Sequence, residues 1–297
     1  MDKKRLYHII TWVVAIAACI FLAWKIATYE DYAALGECLR NLSSQQWLAI
    51  ALCVALMPVN MCLEAWRWWT LMNEGVSFRE AHRQVYYSKL AGIITPWRIG
   101  EYPARGILMK EGGKELRDEG VWGKVLSMGA IGSATMTVAI VLAGVLGIAF
   151  SPEVFDYLGG SYLYSLLAVT IVLCLMMALA PRALRKYAQV NMDLMLRVTG
   201  QSLIRIACWC VQLTLIIYAL GGFGTHSFLD ILLKAPIYYL FVTITPNIPI
   251  VEVSVRGAWA IAVFGTMNAA LAGVILWAIN TLLPCITWFF FKKKKEN

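Results

Sequence analysis

Hydrophobic residues run along this chain in long blocks separated by short polar stretches. Six blocks, at roughly 8–28, 47–69, 121–149, 161–180, 200–221 and 267–291, approach or exceed the ~20 residues a helix needs to cross a bilayer. Two further apolar blocks are interrupted. Tyr87–Thr95 stops at Pro96. Phe228–Thr245 stops at Pro246, with Pro249 close behind and a short apolar run from Val255 to Phe264 after it. Proline removes a backbone donor and pushes the residue before it out of the helical region, so Thr95 and Thr245 are predicted helix ends. Gly92, Gly100, Gly106 and Gly257 let backbone turn or pack closely beside these breaks. The pattern predicts two re-entrant hairpins, 87–106 and 228–264, each a half-helix in, a break at membrane depth, and a return.

The flanking charges orient the blocks. Lys3, Lys4 and Arg5 place the N-terminus inside, and the first loop, with Glu30, Asp31, Glu37 and Arg40, suits the outside. Arg67, Arg79, Arg83, Lys89, Arg98, Arg105, Lys110, Lys114 and Arg117 mark the long segment after the second span as cytoplasmic. Arg182, Arg185, Lys186, Arg197 and the tail Lys292–Lys295 mark the later inside positions. Trp66, Trp68, Trp69, Trp122 and Trp288 fall near span ends, as interfacial anchors do. The first hairpin then enters from the cytoplasm and the second from outside. The fold class read from the chain is an all-α polytopic membrane protein, with about six transmembrane helices and two re-entrant hairpins in an inverted repeat. Residues 1–297 form one membrane domain, with repeat one at about 47–149 and repeat two at about 200–291. Interrupted hydrophobic segments in corresponding positions of two halves point to a transporter site.

Composition agrees with the membrane class. The 297 residues are 60% hydrophobic and 15% charged, against roughly 45–50% and 25% in soluble domains. The net charge of +8 is explained by basic cytoplasmic flanks, and no nucleic-acid motif accompanies it. Lys3–Arg5 ahead of an apolar run resembles a signal peptide, but the run continues through Trp24 and reads as a retained signal anchor. Most of the cysteines sit in or beside apolar runs, where a free thiol packs as a small hydrophobe. The three histidines are scattered, so no metal or cofactor site is expected. The chain has no G-x-S-x-G, H-E-x-x-H, Walker loop or acidic pair of the glycosyltransferase kind, so no enzyme is expected.

The charged residues inside the hairpins carry the functional question. "TPWRIGEYPARG" at Thr95–Gly106 and "TPNIPIVEVSVRG" at Thr245–Gly257 share Thr-Pro, a gap, Glu, three residues and Arg-Gly. Glu101 and Arg105, like Glu252 and Arg256, are spaced i, i+4 and so share one helix face. Three readings are open. The hairpins are pinned together, with Glu101 paired to Arg256 and Glu252 to Arg105. Alternatively, Glu101 and Arg105 lie at the cytoplasmic surface. In the third, the arginine forks read a lipid phosphate while the glutamates balance charge or meet a cationic head group. Arg98 contacts phosphate or snorkels to the interface. Asn247 offers an amide at the second break or serves as a turn residue. Glu64 with Arg67 reads as an interfacial pair, Arg205 as a snorkelling side chain, and Asp230 with Lys234 as a helical pair. Residues 103–120 read as a helix on the cytoplasmic surface.

The order and spacing of Pro96, Gly100, Glu101 and Arg105, followed by Pro246, Pro249, Glu252 and Arg256, resemble the lysylphosphatidylglycerol synthase transmembrane family, also called flippase-like. The resemblance covers nearly the whole chain. Ile250 and Val251 depart from it, because the family usually carries glycines before the late Glu. In full-length members a membrane part flips aminoacylated phosphatidylglycerol and a soluble C-terminal domain makes it. This chain ends six residues after Phe291, so the resemblance implies the translocation half. The implied function is a lipid flippase or transporter in the cell (inner) membrane, both termini cytoplasmic. Its cargo would be an anionic or aminoacylated phospholipid or a polyprenyl-linked lipid. The alternative is an accessory membrane subunit of envelope glycolipid or lipid synthesis. The expected partners are membrane lipids with anionic head groups and no nucleic acid, with room for a homo-oligomer or an envelope-biosynthesis partner.

Overall fold

The structure is a computed structural model. It describes residues 36, 40–72, 75–95, 100–111, 114–115, 119–151, 171, 175, 190–221, 223, 227–245 and 252–293. The sequence-predicted spans 8–28 and 161–180 lie outside the described residues, apart from Ile171 and Leu175. Eight helices occur among the described residues: α1 Ser44–Leu71, α2 Phe78–Ile94, α3 Glu101–Ile107, α4 Glu119–Phe150, α5 Met192–Ala219, α6 Phe228–Ile244, α7 Glu252–Phe264 and α8 Met267–Lys293. Four of them, α1, α4, α5 and α8, are long and apolar enough to cross a membrane. Each also turns large apolar side chains outward, among them Trp47, Leu52, Leu146, Leu196, Ile204 and Ile286. Exposed grease on every long helix is what a lipid solvent selects, since hydrocarbon exacts no penalty from a leucine.

Two boundaries differ from the sequence reading. α2 begins at Phe78, not near Tyr87. The Ser77 side chain accepts from the Glu80 backbone while Glu80 reaches back to the Ser77 N–H, and this capping box starts a helix through a polar turn that hydropathy hides. Residues 103–120 do not form one surface helix. α3 ends at Ile107, and a two-residue antiparallel ladder follows, β1 Lys110–Glu111 on β2 Lys114–Glu115, pairing Lys110 with Glu115 and Glu111 with Lys114.

The halves match element by element. α1 and α5 are both 28 residues long, and α2 and α6 are both 17. α6 opens on the same capping box as α2, with Ser227 and Asp230 in the roles of Ser77 and Glu80. Exchanging α1 with α5, α2 with α6, α3 with α7 and α4 with α8 turns the set of packed helix pairs into itself. The α4–α6 contact becomes α8–α2, and α4–α5 becomes α8–α1. α1 and α5 meet on this pseudo-axis in opposite directions. Gln46 bonds to Ala219, Cys53 to Gln212, Asn60 to Arg205 and Thr70 to Gln201. Matched caps should have matched weights. Ser77→Ala and Ser227→Ala are each expected to cost about 1 kcal/mol, read as equal falls in the thermal midpoint of detergent-solubilised protein.

Candidate functional site

Each half contains a helix that stops and restarts. Thr95 ends α2 with φ −105° and ψ 139°, and Thr245 ends α6 with φ −76° and ψ 125°, the extended conformations that a following proline imposes. Both threonine hydroxyls then tie the break together. Thr95 Oγ1 donates to the Ala91 carbonyl (2.8 Å) and accepts from the Gly100 N–H (2.9 Å). Thr245 Oγ1 donates to the Phe241 carbonyl (2.7 Å) and accepts from Trp259 Nε1 (2.8 Å). Pro96, Arg98, Pro246, Asn247 and Pro249 lie outside the described residues.

In the first half the restart at Glu101 turns charge into the protein. α2 comes so close that a Cβ on Gly92 would sit 2.7 Å from the Glu101 side chain, so only glycine fits there. Lys89 Nζ donates to both Glu101 oxygens at 3.0 Å. Arg105 donates from Nη2 to Glu101 (3.3 Å) and to Glu64 Oε1 (2.7 Å), and from Nε to Ser88 Oγ (3.2 Å). Its guanidinium also lies 4.9 Å from the Trp68 ring centre and 5.3 Å from that of Tyr102.

Glu64 is the centre of the cluster. Three arginines from three helices converge on its carboxylate: Arg105 from α3, Arg67 from α1 (2.6 Å) and Arg205 from α5. Arg67 Nη2 also donates to the Gly132 carbonyl of α4 at 2.7 Å. Arg205 stacks on Trp209, 4.7 Å from the ring centre, and donates from Nε to Asn60 Oδ1 at 2.9 Å. Asn60 accepts a second bond from Trp209 Nε1 (2.8 Å) and donates to Asn280 of α8 (3.2 Å), which donates to Gln212 Oε1 (3.0 Å). One polar chain therefore runs from the first break, across the α1–α5 seam, into α8.

Glu64, Arg67, Lys89, Glu101, Arg105 and Arg205 are each no more than 7% exposed. Four cations thus face two carboxylates among the described residues, a surplus of positive charge held out of water. Burying charge without a matching counter-charge is expensive, so a surplus calls for an anion.

The second half is built differently. Arg256 donates to its own Glu252 from Nε (3.1 Å) and Nη2 (2.9 Å), and both side chains keep some exposure, 19% and 12%. Counted from the helix starts, Gln212 stands in α5 where Glu64 stands in α1. Tyr238 and Tyr239 stand in α6 where Ser88 and Lys89 stand in α2. Tyr238 is 1% exposed, and its hydroxyl lies beside the Arg256 guanidinium.

The four phrase charges therefore do not cross-pair. Arg105 and Arg256 each bond to the glutamate of their own helix. Nor do Glu101 and Arg105 lie at the surface. Arg205 does not snorkel. It sits 13 residues into α5, about 20 Å along the axis, buried and already bound to Glu64. Glu64 and Arg67 are a buried pair rather than an interfacial one. Lys89 is a buried partner of Glu101, not a cytoplasmic flank charge. Trp68 is no interfacial anchor. It is fully buried and donates to Gln84 at 2.6 Å. Asp230 closes the capping box of α6, and Lys234 is buried.

One signal in the sequence could have found Lys89 and Ser88. Ser-Phe-Arg-Glu at 77–80 and Ser-Phe-Leu-Asp at 227–230 stand equally far ahead of their Thr-Pro breaks, which extends the repeat back over the whole of α2. No hydropathy signal marks Glu64 or Arg205 as partners. No group of His, Cys, Asp and Glu side chains suited to a metal occurs among the described residues. Compared with known proteins, the chain matches no family model, and a search of curated proteins returned no match.

Proposed function

We propose that the protein is a membrane carrier of the flippase type that moves a lipid with an anionic head group across the bilayer. The observation that carries this reading is the buried cationic surplus around Glu64 and Glu101, set between interrupted helices of an internally two-fold bundle. A charged residue at bilayer depth costs roughly 2.5–3.5 kcal/mol on insertion scales, so a surplus of them marks a ligand path rather than packing. Irregular backbone at that depth is tolerated where it is enclosed by protein or lines a wet cavity. In this reading the chain crosses the cell (inner) membrane six times with both termini cytoplasmic. α2–α3 and α6–α7 are re-entrant hairpins entering from opposite faces. Arg105 and Arg256 read the phosphate, and Glu101 and Glu252 balance charge or meet the head group. The motif resemblance to the lysylphosphatidylglycerol synthase transmembrane family supports the same reading. No catalysed reaction is part of it.

A second reading, an accessory subunit of envelope lipid synthesis, draws support from the closure of the cluster. Every cation in it already has a partner. A flipping assay separates the two. With full-length protein in liposomes carrying fluorescent phosphatidylglycerol or phosphatidylethanolamine, the fraction open to an external quencher should rise above that of empty liposomes. Arg256→Ala should return it to the empty-liposome value. Wild-type protein indistinguishable from empty liposomes for every lipid tried would favour the accessory reading.

A further inference from the structure

We propose that Glu64 is an internal stand-in for the phosphate of the ligand, and that Arg67, Arg105 and Arg205 are the phosphate site it occupies. The inference deepens the carrier reading and rests on it for the source of the phosphate. Three guanidinium groups from α1, α3 and α5 converge on two carboxylate oxygens: Oε1 takes Arg105, and Oε2 takes both Arg67 and Arg205. That donor set is richer than one carboxylate needs, and it suits a group with three or four oxygens spread around a centre. Arg67 is 3% exposed, and its Nε is buried with no partner among the described residues, so the site still holds a donor that Glu64 does not satisfy. With Lys89 and Glu101 included, four cations face two carboxylates among the described residues, so displacing Glu64 leaves the positive surplus to the entering anion.

Glu64 and the phosphate then compete for the same donors. While the carboxylate holds them the site is closed, since all three arginines are buried. The ligand enters as Arg105, on the far side of the break at Thr95, releases Glu64. Competition of this kind has a signature that a merely structural glutamate lacks. Neutralising it strengthens ligand binding while weakening the ligand-free protein.

The test uses full-length Glu64→Gln beside wild type, with two phosphate sources. One is phosphatidic acid in phosphatidylcholine nanodiscs, and the other is inorganic phosphate added to detergent-solubilised protein at fixed ionic strength against chloride. Glu64→Gln should bind phosphatidic acid about tenfold more tightly than wild type, the worth of one competing charged hydrogen bond. Its thermal midpoint should fall in chloride and recover in phosphate, and adding Arg205→Gln should remove both gains. A folded Glu64→Gln that binds phosphate no more tightly than wild type overturns the proposal, even if wild type flips lipid. Tighter binding of inorganic phosphate without any of phosphatidic acid upholds the site and overturns the lipid-carrier reading. Should Glu64→Gln not fold, wild type decides: phosphate must raise its midpoint above that in chloride, and no rise overturns the proposal.

Discussion

Glu64→Leu is expected to be among the most destabilising single substitutions in the described bundle, costing about 3–5 kcal/mol. The reason lies in the sign of the charge it removes. Among the described residues, wild type holds four buried cations in this cluster against two carboxylates, and the leucine variant leaves four against one. Arg67, Arg105 and Arg205 lose their common acceptor, and mutual repulsion replaces attraction at the α1–α3–α5 junction. Arg205→Leu removes a charge from the side in surplus. Asn60 Oδ1 keeps its bond from Trp209, and Glu64 keeps Arg67 and Arg105, so the expected cost is smaller, about 1–2 kcal/mol. Thermal unfolding of both variants in one detergent checks the ordering. A larger loss for Arg205→Leu would contradict the cationic surplus.

Asn60→Leu should cost about 2–4 kcal/mol, because that amide joins three helices. Its oxygen accepts from Arg205 and Trp209 of α5, and its nitrogen donates to Asn280 of α8. Leucine is close in size and fills the space, so the loss comes from stranded donors and not from a cavity. Asn60→Asp keeps the acceptor and adds a negative charge beside Arg205, where the cluster lacks one, and should cost clearly less. Equal losses for the two variants in thermal unfolding would show that packing rather than polarity fixes the α1–α5 seam.

These effects rest on residues that sequence reasoning weighed least. The repeated Thr-Pro…Glu…Arg-Gly phrase is legible because its residues are close together and proline acts locally on the residue before it. Thr95 and Thr245 do end helices with extended backbone. The hydroxyl of each then bridges its break, a role that residue type allows but spacing alone does not assign. Hydropathy found the four long described helices with their ends shifted by a few residues, most at α5. It missed about the first two and a half turns of α2, because a capping box starts a helix through Arg79, Glu80, His82 and Arg83 without any apolar run. It misread 103–120 because mixed charge and grease suits either a surface helix or a turn with a short ladder.

What the sequence determined by itself is local: apolar lengths matched to a bilayer, proline breaks, helix caps, and Glu–Arg pairs one helical turn apart. Those follow from the backbone and from neighbours within four residues. Only the tertiary structure decided which charges meet. Glu64 and Arg205 are 141 residues apart in the chain and ion-paired in space, and Lys89 crosses the first break to Glu101. Hydropathy treats each such charge as an exception in grease, and in a linear reading an exception defaults to the nearest interface. Folding two halves antiparallel about α1 and α5 puts those exceptions beside one another, where desolvation makes each depend on the rest.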